Sequence, residues 1–283
     1  MVEKYENLNI PSKHMGYLKK ISDTNRPQLW KLHSHRELEF NLVTEGTGYY
    51  VINDHKYFLT KGTIIWLFPD QKHVLMECSD DFKIWVAVFN EKLVNSICTN
   101  SAEILITKDP GKIYMGELLS YDLIHLENTF KDIIAYKDDE GFLNSGLAYV
   151  LRRAWAAFEN ADKSHSNQYL HQAVVRIIEE VTSSPLNEKL SALAGKSGLS
   201  YSRLTRVFKN QTGQSLQEFR DRVRLERFCN AFGKEPHRTM IDCALDSGFG
   251  SYAQFYRTFK KHMNKSPKEF WLQKNTEENH WKK

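Results

Sequence analysis

Residues Leu190–Phe219 read LSALAGKSGLSYSRLTRVFKNQTGQSLQEF, and residues Met240–Phe270 read MIDCALDSGFGSYAQFYRTFKKHMNKSPKEF. The two stretches begin about fifty residues apart and share small, apolar and basic residues at matching positions. Self-similarity of this kind indicates a repeated structural unit. The matching pairs are Ala194 with Ala244, Gly198 with Gly248, Leu204 with Phe255, Arg206 with Arg257, Phe208 with Phe259, Lys209 with Lys260, Ser215 with Ser266, and Phe219 with Phe270.

Each shared position has a role in a helix-turn-helix unit. The small alanine lets the first helix approach the second closely, and the glycine suits a turn that needs a positive φ angle. The serine after the turn is placed to cap the second helix, and glycine or asparagine suits the left-handed position at the end of that helix. The predicted turns, caps and ends are Gly198 and Gly248, Ser200 and Ser251, and Gly213 and Asn264.

The second helix of each unit is predicted to turn a polar and basic face outward. Side chains of this kind in the first turns of a recognition helix can enter the major groove of DNA. A plain helical hairpin with a solvated face is the alternative, and two matching units in a basic region favour DNA binding. The predicted DNA-binding residues are Tyr201, Ser202, Thr205, Arg206 and Lys209 in the first unit, and Tyr252, Ala253, Tyr256, Arg257 and Lys260 in the second.

The charge of the chain is uneven. Residues 170–283 hold 20 Lys and Arg against 12 Asp and Glu, a net charge of +8, whereas residues 1–169 hold 19 against 23, a net charge of −4. A basic half joined to a mildly acidic half indicates a module that binds a polyanion.

Several features point to a cytoplasmic protein without a membrane segment. The first residues lack the layout of a secretory signal, and no apolar run approaches ~18 residues. The cysteines contain no CxxC pair, so reduced thiols are the simplest interpretation and zinc is not indicated by their spacing. They are Cys78, Cys98, Cys229 and Cys243.

The first 95 or so residues have the pattern of short strands. Leu38, Phe40 and Leu42 alternate with polar residues, and further β-branched and aromatic runs are separated by turn signals. Strands at this spacing suggest a small barrel or sandwich. The further runs are Gly48–Asn53, Tyr57–Leu59, Thr63–Phe68 and Phe82–Phe89.

The apolar period becomes helical from about Met115, which predicts helices around Met115–Lys137 and Phe142–Phe158. The polar stretch Glu159–Gln168 is predicted to be a linker. We therefore expect an α+β multidomain chain. Its predicted parts are a β-barrel at residues 1–100, a helical region at 101–160, a linker at 161–169 and an all-α DNA-binding domain at 170–275.

Residues of about 170–275 resemble the DNA-binding domain of AraC/XylS-type transcription regulators. The resemblance is carried by GLSYSRLTRVFKNQTGQSLQEF, by RVRLERF, and by GFGSYAQFYRTFKKHMNKSPKEF. It implies two helix-turn-helix units joined by a long helix, here Arg220–Phe232 with its arginines outside, and two recognition helices that address successive major grooves. It implies DNA contacts at Ser202, Thr205, Arg206, Tyr252, Tyr256 and Arg257. It also implies dimerisation through the helices at 101–160.

The N-terminal half carries a second resemblance. His33-Ser34-His35-x3-Glu39-x6-Gly46 follows the first motif of the cupin superfamily. Gly62-x6-Pro69-x3-His73 roughly follows the second, without its second glycine and its usual spacing. On a strand, His33, His35 and Glu39 have the same parity, and His73 can reach them from a neighbouring strand. A cupin-like barrel that senses an effector is therefore expected.

Three uses of these polar residues remain open. They can bind a small effector without metal, hold a divalent ion such as Zn, Fe, Mn or Ni, or have a purely structural role. Effector binding without a metal cofactor is preferred. The candidate effector-binding residues are His33, His35, Glu39, Trp66 and His73, the candidate metal ligands are His33, His35, Glu39 and His73, and the candidate pocket aromatics are Trp30, Tyr49, Trp66, Phe68 and Trp85.

The sequence thus predicts a sequence-specific DNA-binding transcription regulator that responds to a small molecule in the N-terminal barrel. The expected partners are double-stranded DNA with a bipartite site, a small effector such as a sugar, a second copy of the chain and, for the activator that the resemblance implies, RNA polymerase. No enzymatic activity is expected. The alternatives are a metal-dependent cupin enzyme fused to a DNA-binding domain, and a regulator that needs no effector.

Overall fold

The computed structural model describes residues 7–22, 32–97, 105, 110–164, 167–183, 190–234 and 238–272. It forms two compact units. The first comprises the described residues of Met1–Thr24 and His33–Tyr169, and the second those of Asn25–Leu32 and Leu170–Lys283. Among the helices described, none has the length and apolar character needed to cross a membrane.

The strands of the first unit form two antiparallel sheets. One has five strands in the order β1-β7-β2-β5-β8, and the other has four in the order β6-β3-β4-β9. The strands are β1 (Gly16–Ile21), β2 (Leu38–Glu45), β3 (Gly48–Ile52), β4 (His55–Leu59), β5 (Thr63–Leu67), β6 (His73–Met76), β7 (Lys83–Phe89), β8 (Tyr114–Glu117) and β9 (Asn167–Tyr169).

The predicted strand-rich, cupin-like unit is confirmed, but its sheets are not closed into a barrel. Over the described residues the two sheets share no strand, and only an isolated bridge between His33 and His73 ties the segment before β2 to β6. Two facing sheets bury their inner faces as a barrel does, and they leave open edges between them.

The alternation in β2 decides what each face of the five-stranded sheet contacts. Leu38, Phe40 and Leu42 belong to a core that also contains residues of helices α2 (Ser120–Ala135) and α3 (Glu140–Glu159). Successive residues of a strand point to opposite faces, so Glu39 and its neighbour Asn41 face away from these helices. Both side chains are nevertheless buried, which places polar groups between the two sheets.

The helical region begins later than predicted. Helix α2 begins at Ser120, and the preceding Tyr114–Glu117 forms β8, which pairs with β5. At Gly116 a Cβ atom would lie 2.8 Å from the Cβ of Ala161, so this strand needs its glycine. Helix α3 is capped by Asp139, whose carboxylate accepts from the Phe142 amide at 2.9 Å. A shorter helix, α1 (Glu91–Ile97), follows β7.

Part of the predicted linker is held by the first unit. Asp162 forms a bridge with Glu117, and β9 pairs with β4 in the register His55 to Tyr169. The polar sequence therefore predicted a linker where the structure has a short edge strand, because a strand of three residues is too short to show an alternating pattern.

The second unit is helical throughout its described residues, as predicted. Helices α5 and α6 form the first helix-turn-helix, α8 and α9 form the second, and α7 joins them. The helices are α4 (Gln172–Ser183), α5 (Leu190–Ser197), α6 (Tyr201–Thr212), α7 (Leu216–Lys234), α8 (Met240–Asp246) and α9 (Tyr252–Met263). The core of the second helix-turn-helix includes Cys229 and Cys243 beside Phe228, Phe255 and Phe259.

The arginines of α7 do not all point outward as predicted. Arg224 is 5% exposed, lies over the Phe249 ring and approaches the carboxylate of Asp221 at 3.5 Å. Arg227 donates to the backbone carbonyl of Thr182 at 2.8 Å. The reason is that α7 packs against α4, α6, α8 and α9, which leaves little of its surface for solvent. Burial, followed by the nearby charge of Arg220, lowers the pKa of Arg224 to about 10.

Candidate functional site

The second helix of each helix-turn-helix is bounded as the sequence predicts. The Ser200 hydroxyl accepts from the Arg203 amide at 3.4 Å, and the Ser251 hydroxyl accepts from the Gln254 amide at 3.2 Å. Helix α6 ends at Gly213 with φ 72°, and α9 ends at Asn264 with φ 54°, both in the left-handed region. The turns before them contain Gly198 (φ 75°) and Gly248 (φ 94°). These local signals fix both ends of each helix.

The apolar face of each helix is buried in its unit. Leu204 and Phe208 of α6 and Phe255 and Phe259 of α9 are all fully buried. Because residues four apart share one face of a helix, this burial leaves the opposite face of α6 and of α9 for solvent or a partner.

The predicted DNA-binding residues lie on that outer face, with one exception. Nine of the ten are exposed, whereas Thr205 is half-buried and its hydroxyl donates to the carbonyl of Tyr201 at 3.0 Å. Arg203, also exposed, was not predicted, although it lies only three residues before Arg206 on the same helix. The exposed members are Tyr201, Ser202, Arg206 and Lys209 on α6, and Tyr252, Ala253, Tyr256, Arg257 and Lys260 on α9.

Among the residues that the structure describes, the two matching arginines have no partner. Neither Arg206 nor Arg257 forms a hydrogen bond or ion pair with any described residue, in contrast to Arg224 and Arg227 of α7. An arginine that is exposed and has no acidic partner keeps all its donors for a ligand, and its planar fork suits guanine or phosphate.

The first unit brings together three histidines. His33 lies before β2 and His73 begins β6, and their backbones exchange two hydrogen bonds of 3.1 and 2.9 Å. The ring centroids are 4.3 Å apart for His33 and His73, 5.2 Å for His35 and His73, and 5.9 Å for His33 and His35. One ring nitrogen from each histidine lies within 4.8 Å of the others, so the predicted convergence occurs.

Backbone carbonyls fix two of these imidazole rings. His35 Nδ1 donates to the carbonyl of Glu37 at 3.0 Å, and His73 Nδ1 donates to the carbonyl of Gln71 at 2.9 Å. A carbonyl can only accept, so each Nδ1 carries a hydrogen, and Nε2 of His73 is left to act as acceptor or ligand. Nε2 of His35 instead faces Glu39 Oε2 at 3.2 Å, and although burial opposes it this contact raises the pKa of His35. Both Nε2 atoms are buried without a hydrogen-bond partner among the described residues.

Glu39 adds a carboxylate to this cluster. Its Oε1 accepts from Asn41 Nδ2 at 2.6 Å, and its Oε2 lies 3.2 Å from His35 Nε2, at ion-pair distance without the alignment of a hydrogen bond. Burial alone would raise the pKa of Glu39, but the contact with His35 and the nearby His73 lower it to about 2. Burial and the charge of His33 lower the pKa of His73 to about 3, which keeps its ring neutral. These four residues can hold a metal ion or hydrogen-bond a polar ligand.

A cavity of about 390 Å³ opens on the same face of the four-stranded sheet. Ile52 is the cross-strand partner of both His55 and His73, and His55 is the partner of Tyr169. Cross-strand partners point to one face, so the cavity and His73 share the inner face of this sheet. The polar and aromatic residues that line the cavity are Asn53, Asp54, His55, Tyr57, Gln71, Lys112 and Tyr169.

The aromatic residues predicted for the pocket lie elsewhere. Trp66 is fully buried against Phe40 and Trp155, on the helix-facing side of the five-stranded sheet, so it does not line the cavity. Phe68 and Trp85 belong to the same core. Tyr49 packs on Phe58 at the outer face of the other sheet. Trp30 lies outside the described residues.

The aromatic residues on the inner face were missed. Tyr57 lines the cavity, and its cross-strand partner Tyr50 lies 6.1 Å from the His73 ring. Alternation in Gly48–Ile52 already separates Tyr49 from Tyr50. Two features of the sequence could have identified Tyr50. It lies in a run between two predicted turns, and its separation from His73 along the chain is compatible with antiparallel pairing of the two segments.

Comparisons with known proteins agree with both units. A family model described as an AraC-like ligand binding domain matches residues 21–78, and one described as a helix-turn-helix domain matches residues 193–273. The chain is 39% identical over 82 residues to the probable transcription factor PqrA of Proteus vulgaris, a match that covers 29% of this chain and 66% of that protein.

Other similarities extend over most of the chain. The HTH-type transcriptional activator RhaS of Escherichia coli is 22% identical over 245 residues, which cover 84% of this chain and 86% of RhaS. Among solved structures, apo ToxT from Vibrio cholerae is 15% identical with a TM-score of 0.39, and the match covers 95% of this chain and 99% of that one.

The two family models place an AraC-like ligand-binding domain before a helix-turn-helix domain in one chain, and the match to RhaS extends over most of the chain. The order agrees with the strand-rich first unit and the repeated helical second unit. The chain is therefore an AraC-type transcription regulator, a ligand-responsive protein that binds DNA.

Proposed function

We propose that α6 and α9 each insert into the major groove of one DNA duplex and contact two segments about one helical turn (~10 bp) apart. The observation that carries this proposal is the exposure of Arg206 and Arg257 at matching positions without a partner among the described residues. Two equivalent donors on two equivalent helices suit a bipartite site better than a single contact.

The residues of the two outer faces divide by chemistry. Arg206 and Arg257 can donate to two acceptors of a guanine edge, which gives sequence preference. Lys209 and Lys260, one turn further along each helix, suit phosphate contacts that add affinity without sequence preference. The remaining contacts proposed for base or backbone are Tyr201, Ser202, Thr205, Tyr252, Ala253 and Tyr256.

A small polar molecule in the cavity on the four-stranded sheet is proposed to control this binding. A cavity whose lining includes amide, carboxylate and phenol groups beside aromatic rings suits a ligand with several hydroxyl groups, such as a sugar. His73 lies on the same face of this sheet as the cavity, and His33, His35 and Glu39 cluster with His73. The ligand must bind two arrangements of the protein with different affinity if it is to change DNA binding.

A second copy of the chain is proposed to dock on α2 and α3. Four large side chains on these helices or directly before α2 are more than 45% exposed, which is unusual for apolar and aromatic groups at a solvated surface. His125 and Tyr149 are joined across the two helices by a hydrogen bond of 2.9 Å. The exposed side chains are Leu119, Tyr121, Ile124 and Tyr149.

The output proposed is activation through RNA polymerase, because the relatives RhaS and RhaR are named as transcriptional activators. Because these relatives are named as regulators, an enzyme fused to a DNA-binding tail is not favoured, and no catalytic role is assigned to the N-terminal unit.

Selection of DNA from a random library with the purified full chain tests the proposal. We expect enrichment of two short conserved segments about one helical turn apart, bound at least ~10³-fold more tightly than random DNA. The variant carrying both Arg206→Ala and Arg257→Ala is the control and should enrich neither segment. Enrichment of one segment only, or none, contradicts the bipartite arrangement.

A thermal-shift screen with monosaccharides then tests the ligand. A sugar that binds should raise the melting temperature of the wild-type chain. The increase should be smaller for Tyr57→Phe and for Gln71→Ala, because both residues line the cavity. Equal shifts in the variants and the wild type would place the ligand outside this cavity.

A further inference from the structure

We propose that the ligand of the cavity on the four-stranded sheet is a sugar that carries an anionic group, a carboxylate or a phosphate, and that Lys112 binds this group. The inference rests on the proposed function, since it names the chemical class of ligand for the same cavity. A neutral sugar suits the amide and phenol groups of the lining but makes no use of the positive charge of Lys112.

The charge of Lys112 is available to a ligand. Lys112 lines the cavity and forms no ion pair with any residue that the structure describes. Its Nζ atom lies 5.1 Å from the centre of the Tyr114 ring, whereas Lys56 of the same unit is paired with the Glu77 carboxylate at 2.8 Å. An ammonium group over a ring keeps its three N–H donors for an acceptor. Lys112 can therefore donate to an anionic group of a bound molecule.

The carboxylate of the cavity lining is engaged elsewhere. The Oδ1 atom of Asp54 accepts from His55 Nδ1 at 2.6 Å. The side chain of Asp54 is also 56% exposed, so solvent screens its charge. An anionic group on the ligand can thus reach Lys112 without facing a buried, unpaired carboxylate.

A buried amide adds hydrogen-bond donors to the same lining. Gln71 is 1% exposed, and its Oε1 atom accepts from the Phe68 amide at 3.0 Å. Because the carbonyl end of this side chain is occupied by an N–H group, the end that it can offer to a ligand is Nε2, which only donates. Donors suit the oxygens of a carboxylate, a phosphate or a hydroxyl group, and bonds to the charged oxygens are the stronger ones.

Aromatic rings and the size of the cavity account for the sugar part of the ligand. Tyr57 and Tyr169 line the cavity, and the Tyr169 ring packs on His55 with 3.9 Å between the ring centroids. Such rings present an apolar face beside a polar tip, which suits a sugar ring with its C–H and O–H groups. The volume of about 390 Å³ lies near the lower end of the ~300–1,000 Å³ found for small-molecule sites. One sugar ring with one charged substituent therefore fits it better than a long chain.

Isothermal titration calorimetry of the full-length chain with matched sugars tests the proposal. Glucose, galactose and mannose are each compared with the uronate and the 6-phosphate of the same sugar. We expect at least one anionic compound to bind roughly 10-fold or more tightly than its neutral sugar, because a hydrogen bond to a charged group is stronger than one to a neutral group. The tighter of the uronate and the 6-phosphate then distinguishes a carboxylate from a phosphate ligand.

Lys112→Gln should remove this preference. We expect it to weaken binding of the anionic compound by roughly 10-fold or more and to leave the affinity for the neutral sugar within about twofold. Lys61→Gln is the matched control, because Lys61 is also an exposed lysine of the first unit but does not line the cavity. It should keep the wild-type affinity for every compound. Both lysines are exposed, so neither substitution should prevent folding.

The outcomes separate this inference from the proposed function. A wild-type chain that binds a neutral sugar as tightly as its uronate and its 6-phosphate overturns the anionic ligand and leaves the proposed sugar in place. An unchanged affinity for the anionic compound in Lys112→Gln also overturns the inference, since the charge would then be bound by another residue. A chain that binds none of these compounds contradicts both the inference and the sugar proposed as effector, and DNA selection on the same preparation tests the DNA interface separately.

Discussion

Arginine has two different uses in the C-terminal unit. Arg224 and Arg227 lie on the joining helix α7 and are occupied by a ring, a carboxylate or a backbone carbonyl. Arg206 and Arg257 lie on the outer faces of α6 and α9 with no partner among the residues described. The same residue type therefore stabilises the fold in one place and remains available for a ligand in another.

Replacement of Arg257 by alanine should weaken binding to the selected DNA site by ~1–3 kcal/mol if the guanidinium contacts a base. Fluorescence anisotropy on the selected site and on random DNA would measure it. Lys260→Ala is the control: it should weaken binding to both DNAs alike and reduce the salt slope by about 1. Equal losses on both DNAs for Arg257→Ala would assign that residue to phosphate.

Phe255 and Tyr256 are neighbours on α9 with opposite environments. Phe255 is fully buried, whereas Tyr256 is 38% exposed. Phe255→Ala should lower the free energy of unfolding by about 3–5 kcal/mol, because it leaves a cavity in the second helix-turn-helix core. Tyr256→Ala should change it by only ~0.5 kcal/mol and act instead on DNA affinity. Urea unfolding followed by circular dichroism distinguishes the two, and equal destabilisation would mean that Tyr256 is part of the core.

At the scale of the element, each recognition helix is followed by the same reciprocal cap. The Ser215 amide donates to Glu218 Oε2 at 3.0 Å, and the Glu218 amide donates to the Ser215 hydroxyl at 3.2 Å. Ser266 and Glu269 repeat the arrangement at 2.7 and 3.3 Å. This capping box fixes where the next helix begins after each turn.

The cap makes a pH-dependent contribution to stability. The backbone hydrogen bond from Ser215, followed by that from its hydroxyl, lowers the pKa of Glu218 from its ordinary 4.5. A lowered pKa in the folded state means that the stabilisation is present above the unfolded pKa and is lost as pH falls through the folded pKa. We expect Glu218→Gln to cost roughly 0.5–1 kcal/mol at neutral pH and progressively less below about pH 4.5.

Chemical denaturation between neutral and acidic pH would measure this difference. In a Ser215→Ala background the effect of Glu218→Gln should shrink only in part, because the hydroxyl is lost but the backbone amide at this position still donates to the Glu218 carboxylate. A difference that stays constant with pH would show that the carboxylate charge has no part in the cap.

The sequence predicts some elements better than others for physical reasons. The ends of α6 and α9 depend on Ser200, Gly213, Ser251 and Asn264, which act within a few residues, so they could be predicted. The environment of Trp66 depends on which sheet face α2 and α3 cover, and that is decided by packing between distant segments. Short elements such as β8 and β9 carry too few residues for a periodic signal.

The candidate sites, too, could be predicted where they depend on local sequence and not where they depend on contacts between distant segments. The convergence of His33, His35 and Glu39 could be predicted because one strand period places them together, and the pairing with His73 followed from a known motif. The cavity could not, because residues such as Lys112 and Tyr169 meet His55 only after the sheets have formed.

For the whole molecule, self-association is the property that one surface substitution should change. Ile124 is 60% exposed beside Tyr121 on α2. Ile124→Asp places a charge in this apolar patch, so we expect it to shift a dimer toward monomer by at least ~10-fold in dissociation constant, since a desolvated unpaired charge costs more than 1.4 kcal/mol.

Analytical ultracentrifugation over a dilution series would measure the shift. Asp138→Ala, an exposed change between α2 and α3, is the control and should leave the association unchanged. A wild-type chain that sediments as a monomer at all concentrations would contradict the docking surface.

Cys229 and Cys243 lie inside the second helix-turn-helix, where Cys243 is fully buried and Cys229 is 8% exposed. An alkylating reagent reacts with the thiolate form of a cysteine and needs access to it. Both cysteines are therefore expected to react only when this module opens locally. The alkylation rate of the two peptides, read by mass spectrometry, therefore measures how often the module opens. Bound DNA should slow that rate because it stabilises the folded module. The two native cysteines therefore report on local unfolding of the module without an added label.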